Sequence, residues 1–392
     1  MNVLWLASWY PNKVNPFEGD FIQRHAKSVS NYVNLVVVHV TQFGPSKNTS
    51  LATVELKEAE NLKEYTIYFP FKKTGIFLLD KITYNVQYYW TFTRFIRKYF
   101  KEHGLPDIVH VHVPMKAGVI GKWIKQKWKI PYITTEHSSS YYDYIPDNYF
   151  VRSRYYRKAV SGILKKSAQV TTVSRVLAEQ LKDIFALFDI QVIHNVVDTT
   201  IFFRQEVNPP VFRFFHASTM NHPKNVEGIL NVFARLLNQR DNWECVMAGW
   251  ETAELKKKAF SLGLENHIKW VGVLTYNEVA TSMQASHALI MFSRYENFPC
   301  VVIEALCCGL PVIATNVGGI PEAVNHSNGL LVQSENEDGL LQAMTNMINN
   351  YDSFNRVKIA DQASKKYSYE VIGKQFYDLY QKTLTQTTPT WF

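Results

Sequence analysis

Two carboxylates, Glu296 and Glu304, stand eight positions apart in the run 293–311. A helix start falls between them. Pro299 suits the first helical position, where a missing N–H costs nothing, and Gly309 suits the residue just past a helix end. Val301, Val302, Ile303, Ala305, Leu306, Cys307 and Cys308 leave that helix almost no polar face, so it must be buried. Its first amides lack partners within the helix and can seat an anion. Glu296 lies in the loop before those amides. Glu304 lies beyond them, and eight helical residues span about 12 Å. A buried Glu304 also needs partners of its own. The run therefore lines up a hydroxyl acceptor, an anion seat and a second hydroxyl acceptor. A nucleoside diphosphate sugar presents hexose hydroxyls, diphosphate and ribose hydroxyls in that order.

Elements on both sides must hold such a run in place. Short apolar runs alternate with longer helical patterns along the whole chain, which predicts parallel sheets with crossover helices. In the first half the runs are 3–7, 35–40, 108–112, 132–134, 169–173 and 192–193. In the second they are 212–217, 244–248, 268–271, 288–292, 312–314 and 330–332. Each series predicts one doubly wound sheet. Segment 202–213, with Pro209-Pro210 inside it, predicts the crossing between two domains. Open parallel sheets bind ligands beyond the carboxyl ends of their strands, so the loops after strands carry the information. The run ending at Phe292 leads into the Glu296 loop. The first run leads to Gly19, where a glycine lets backbone approach a phosphate, and the neighbouring Asp20 is read as a helix cap. The run at 132–134 leads to Glu136 and His137.

The 296–304 segment and its continuation through 311–322, with Gly318, Gly319 and Glu322, resemble the Glu-x7-Glu motif of the family-4 retaining glycosyltransferases, which have the GT-B fold. The resemblance implies an α/β architecture of two Rossmann-like, doubly wound parallel-sheet domains facing an inter-domain cleft. Residues 1–203, joined by a C-terminal helix at about 371–392, would bind the acceptor, and residues 204–370 the nucleotide sugar. It also implies roles. Glu296, His137 and Lys224 would form the catalytic set, with Glu296 and His137 on hydroxyls of the donor hexose. Lys224 and the amides of residues 300–302 would stabilise charge on a departing diphosphate. Glu304 would hold ribose hydroxyls. Gly19, Ser218, Asn297, Phe298, Pro299, Cys300, Val301 and Leu274 would complete the donor site, Asn297 and Phe298 through their backbone. Relatives often carry an Arg where this chain has Ser218, so a neutral hydrogen bond is expected there in place of a charged one, with Arg294 as a substitute cation. Asn195 and Asp198 resemble residues that close the first domain, and His194 stands where a Pro is usual. No side-chain nucleophile and no metal is expected. The nucleoside diphosphate sugar is a co-substrate, so no cofactor is expected either.

The reaction so implied moves a hexose or N-acetylhexosamine from a nucleoside diphosphate sugar, UDP before GDP, to a hydroxyl of a glycan or lipid-linked glycan. Two other readings fit the same residues. One is a sugar-nucleotide epimerase or hydrolase on the same scaffold; the other is a non-catalytic lipid or polyanion binder.

Size and composition set the frame. The chain has 392 residues, 46% of them hydrophobic, enough for two domains with full cores. Its net charge of +8 is uneven: residues 1–200 hold 26 Lys and Arg against 16 Asp and Glu. That predicts an anionic partner for the first half. Stretches 72–101, 122–129 and 149–166 interleave cations with aromatics, which suits peripheral contact with a membrane. No nucleic-acid motif accompanies the charge. The four cysteines, Cys245, Cys300, Cys307 and Cys308, have neither zinc nor disulfide-framework spacing. No run reads as a signal peptide or a bilayer span. The expectation is a cytoplasmic protein that touches the cytoplasmic face of a membrane.

Overall fold

The computed structural model describes residues 1–43, 52–206 and 209–387. They divide into two compact units. One comprises Met1–Val173, Ala178–Ile193 and the chain from Ile372 onward; the other comprises Ser174–Leu177 and His194–Val371.

In the first unit the strands are β1 (Asn2–Ala7), β2 (Asn34–Phe43), β3 (Thr53–Ala59), β4 (Leu62–Pro70), β5 (Ile108–His112), β6 (Tyr132–Glu136), β7 (Val170–Thr172) and β8 (Ile190–Val192). They form one sheet in the order β3-β4-β2-β1-β5-β6-β7-β8. Every neighbouring pair is parallel except β3 and β4, an antiparallel hairpin at the edge. Sequence patterning missed that hairpin. β3 reads Thr-Val-Glu-Leu-Lys-Glu-Ala and is exposed along nearly its whole length, so no apolar run marks it. The central strands are buried on both faces, as strands covered by helices on both sides are, and carry buried histidines and threonines among their apolar residues. Helix Phe77–His103 lays Phe92, Ile96 and Phe100 into this core.

The last helix, Tyr369–Thr387, supplies Phe376 and Tyr380 to the first unit, as the resemblance implies. Its Tyr380 phenol closes a buried chain of hydrogen bonds. Trp5 Nε1 donates to the phenol at 3.0 Å. The phenol is then free to donate to His110 Nδ1, 2.8 Å away. His110 Nε2 reaches Thr135 Oγ1 at 2.6 Å, and Thr135 reaches Thr171. Burial holds His110 well below the usual imidazole range, so the ring is neutral and can play donor on one side and acceptor on the other.

The strands of the second unit are β9 (Phe212–Ser218), β10 (Trp243–Gly249), β11 (Ile268–Gly272), β12 (Ala288–Met291), β13 (Val312–Thr315) and β14 (Gly329–Val332). Their order is β11-β10-β9-β12-β13-β14, all parallel. The direction of winding reverses between β9 and β12. Loops that leave neighbouring strands at such a reversal splay apart and open a crevice. Residues 194–203, which the sequence reading gave to the first domain, belong here. Val197 N–H donates to the Tyr367 carbonyl at 2.8 Å, and Gln284 Nε2 donates to the carbonyls of Ile201 and Phe203. Those contacts move the boundary back to residue 193.

Replacing Tyr380 by Phe removes one oxygen and strands two buried ring nitrogens. The loss is expected to be about 1–3 kcal/mol, read from the urea midpoint. An unchanged midpoint would show that the hydrogen-bond chain contributes nothing.

Candidate active site

Strand β12 ends at Met291, and the next eight residues form a loop folded against the sheet end. Ser293 and Glu296 are buried within it. Glu296 Oε1 accepts from Lys224 Nζ at 2.5 Å and from Ser293 Oγ at 2.8 Å. Lys224 comes from the loop after β9, the other side of the winding reversal. It ends a single 3-10 turn, His222–Lys224, that Asn225 closes in left-handed backbone before capping helix Val226–Leu237. Sheet order alone therefore brings together two predicted residues 72 positions apart.

Backbone packing fixes the loop further. Gly318 has φ +53°, and a Cβ there would lie 1.9 Å from the Glu296 carbonyl oxygen. Only glycine fits, so the 317–319 turn can lie flat on the loop. Gly319 N–H then donates to the Asn297 carbonyl at 2.7 Å. Ser174 Oγ donates to Asn297 Oδ1 at 2.7 Å. Asn195 Nδ2 donates to the Phe298 carbonyl at 2.6 Å, and the His194 ring stacks on Phe298 at 4.5 Å. The backbone carbonyls of Asn297 and Phe298 are thus occupied by protein donors. Glu322 accepts from the amides of Arg175 and Val176, which makes it a helix cap.

Helix Cys300–Cys307 follows, with Pro299 as its extended N-terminal cap. The helix begins one residue later than the sequence reading placed it. Pro299 keeps an extended ψ, and the first helical residue is Cys300. Gly309 lies just past its end, with φ +69°. Val302 through Cys307 are buried, while Cys300 and Val301 are half-buried at the open end. Glu304 is buried, and the Tyr276 phenol donates to its Oε1 at 3.2 Å. Tyr276 was not foreseen. Its signal was present: Thr275 and Glu278 form a capping box, which fixes Tyr276 at the first helical position, two residues after half-buried Leu274.

Ser218 is placed otherwise than expected. His216 Nδ1 faces the Ile290 carbonyl at 2.9 Å, so that nitrogen carries the proton. Burial lowers His216 to about 4, which leaves Nε2 as an acceptor. Ser218 Oγ lies 2.8 Å from Nε2 and must donate to it, while accepting from Met220 N–H at 3.0 Å. Its proton is committed to the histidine and does not point outward. Ser218 instead shapes the loop that carries Lys224. Arg294 is also engaged, with Glu335 and the His222 carbonyl.

Gly19 and His137 both lie in loops that follow strands of the first unit. Gly19 is the left-handed N-cap of helix Asp20–Ser30, and a Cβ there would lie 2.7 Å from the Trp9 carbonyl. Asp20 is therefore in the first turn and not the cap, and it pairs with Arg24. Phe21 of that turn rests on the His137 ring at 4.9 Å. His137 is buried and stacks on His112 at 5.4 Å. Burial, with His25 and His110 nearby, holds it well below the usual range. Glu136 Oε1 accepts from the amides of His137 and Ser138, and Oε2 from Tyr141, so it orders the loop.

A family model described as "Glycosyltransferase Family 4" matches residues 55–201, and one described as "Glycosyl transferases group 1" matches residues 197–366. A glycosyltransferase of Methanocaldococcus jannaschii without an assigned substrate is 28% identical over 270 residues, 67% of this chain and 72% of that protein. The alpha-monoglucosyldiacylglycerol synthase of Streptococcus pneumoniae is 26% identical over 226 residues, 53% of this chain and 51% of that protein. Among solved structures, Anabaena HepE in complex with UDP superposes with a TM-score of 0.72 at 16% identity, covering 97% of this chain and 100% of HepE.

The buried histidines make stability pH-dependent. Burial holds His39, His216 and His287 at about 4, and unfolding returns each to the usual imidazole value near 6.5. Between those limits the unfolded chain binds more protons. Their contribution is therefore complete above about pH 6.5 and lost as pH falls toward 4. Glu136, raised by burial to about 7, acts oppositely, its contribution fading as pH rises through 7. Three histidines outweigh one carboxyl, so the melting temperature should fall between about pH 7 and about pH 5. A flat profile would contradict the neutral assignment of these rings.

Proposed function

The chain belongs to the family-4 glycosyltransferases with the GT-B fold, and from that premise we propose that it transfers a hexose or N-acetylhexosamine from a nucleoside diphosphate sugar to a hydroxyl of a glycan or lipid-linked glycan, with retention of configuration. The observation that carries this reading is the Glu296 loop at the winding reversal of the second sheet. It sets one carboxylate before a helix N-terminus, with a lysine against it and a second buried carboxylate one turn inside the helix.

Each group has a part. Glu296 orients hexose hydroxyls, which accounts for a charge kept at the site at the cost of desolvation. The open end of helix Cys300–Cys307 and Lys224 serve the diphosphate and stabilise the charge that grows as the bond from C1 to the phosphate oxygen breaks. Glu304, steadied by Tyr276, accepts from the ribose hydroxyls. Leu274 meets the base through backbone groups. The acceptor hydroxyl attacks C1 from the face the diphosphate leaves, and the departing phosphate oxygen takes its proton. Charge stabilisation by amides and Lys224 requires no metal in this scheme, and His137 adds a neutral hydrogen bond to the donor hexose. With the Ser218 hydroxyl turned to His216, Lys224 is the cation on the β9 loop that serves the diphosphate.

UDP is the preferred nucleotide and GDP the second. The UDP complex of HepE supports that order. The lipid product named for the pneumococcal synthase supports a lipid-linked acceptor, as does the basic first half of this chain. On this reading the protein works in the cytoplasm, in peripheral contact with a membrane, in the assembly of an envelope or capsule polysaccharide.

Adding UDP should raise the melting temperature by mass action. Glu304→Gln should weaken UDP binding about tenfold, as loss of a charge-assisted hydrogen bond does. Glu296→Gln should keep the UDP shift and slow sugar transfer by about a hundredfold or more. Full turnover in the Glu296→Gln protein would remove the basis of the assignment.

A further inference from the structure

Helix Phe77–His103 is apolar on two faces, and one of them has no cover among the described residues. Its inner face buries Tyr88, Phe92, Ile96 and Phe100. On another face Leu78, Ile82, Val86 and Trp90 stand four residues apart and are 66%, 53%, 63% and 56% exposed. Four-residue steps keep side chains on one stripe of a helix. Phe77, at the head of the stripe, is 82% exposed. Single exposed apolar residues are ordinary; a continuous stripe over more than three turns marks an interaction surface.

The surroundings of the stripe select its partner. Lys72, Lys73 and Lys81 are exposed around its head. The nearest acid, Asp80, is turned back on the chain and accepts from Thr74 N–H, Thr74 Oγ1 and Gly75 N–H. Lower down, Arg94 lies over Trp90 at 5.1 Å and Arg97 over Trp123 at 5.3 Å. Apolar bodies flanked by cations on long stems match the boundary between lipid tails and phosphates. A second copy of the chain meeting this face about a two-fold axis would set the same lysines against each other. No helix among the described residues is long and apolar enough to cross a membrane, so the contact lies in the surface plane.

Position gives the contact a use. The helix starts shortly after β4 ends, and β4 is parallel to β2 and β2 to β1. The stripe therefore begins at the carboxyl edge of the first sheet, where parallel sheets bind ligands. Lys116, ahead of the helix after β5, reaches toward it, with Nζ 3.7 Å from the Tyr84 ring centre. We propose that the Leu78, Ile82, Val86 and Trp90 stripe enters the headgroup layer of an anionic phospholipid bilayer, with Lys72, Lys73 and Lys81 on the phosphates. The carboxyl edge of the first sheet then opens at the membrane surface, where a lipid-linked acceptor resides. The docking stands on the surface alone; its service to the acceptor rests on the function proposed above.

Flotation with vesicles of equal parts phosphatidylcholine and phosphatidylglycerol, and of phosphatidylcholine alone, tests the docking. The wild-type protein should float with the anionic vesicles and far less with the neutral ones. An Ile82→Gln, Val86→Gln double variant should bind at least about tenfold more weakly, since each buried methylene counts. A Lys72→Gln, Lys73→Gln, Lys81→Gln variant should lose about fivefold per lysine. All five positions are exposed, and an unchanged UDP melting shift in both variants would separate lost docking from lost fold or lost donor site. Wild-type protein that stays with the buffer, or an apolar variant that floats as well as wild type, overturns the proposal. So does a wild-type dimer that the apolar variant dissolves, because a second copy would then be the cover.

Discussion

A carboxylate withdrawn from water must meet a cation or several donors, or it gives up its charge. The second unit is arranged around that constraint at Glu296. Its cation, Lys224, and one of its donors, Ser293, lie at the ends of two strands that are neighbours only because the sheet changes its direction of winding between them. The loop cannot relax away from the pair. Gly318 lies flat beneath the Glu296 carbonyl, and Asn195 and Ser174 hold the next two residues. The helix that follows is apolar enough to be driven into the core, and that burial fixes where its open end points. Binding geometry here is a by-product of packing: each contact that holds the loop is also a contact that aims it.

The first unit applies a different solution to the same problem of buried polarity. Its central strands carry histidines and threonines on inward faces, and these satisfy one another through a chain that ends on the C-terminal helix. The rings stay neutral, so no counter-charge has to be buried with them. The cost falls on acid conditions, where protonation would place positive charge in a site with no room for it.

Much of this was legible in the residues. The strands with apolar faces were readable because burial on both sides leaves no alternative composition. The 296–304 run was readable because a carboxylate inside an all-apolar helix has no bland explanation. The β3 and β4 hairpin was not, because an exposed edge strand carries charges in place of a pattern. The direction of the Ser218 hydroxyl was not, because it depends on the tautomer of His216, which depends in turn on a carbonyl from β12. Tyr276 escaped because its partner, Glu304, lies 28 positions away. The boundary at residue 193 escaped because a proline pair at 209–210 looks like a linker, whereas hydrogen bonds assign the segment before it.

A diffraction structure of the protein with UDP tests the central claim most directly. The diphosphate should lie against the N-terminus of helix Cys300–Cys307, beside Lys224, with the ribose hydroxyls on the Glu304 carboxylate. A diphosphate bound away from that helix terminus, or a ribose held by groups other than Glu304, would contradict it.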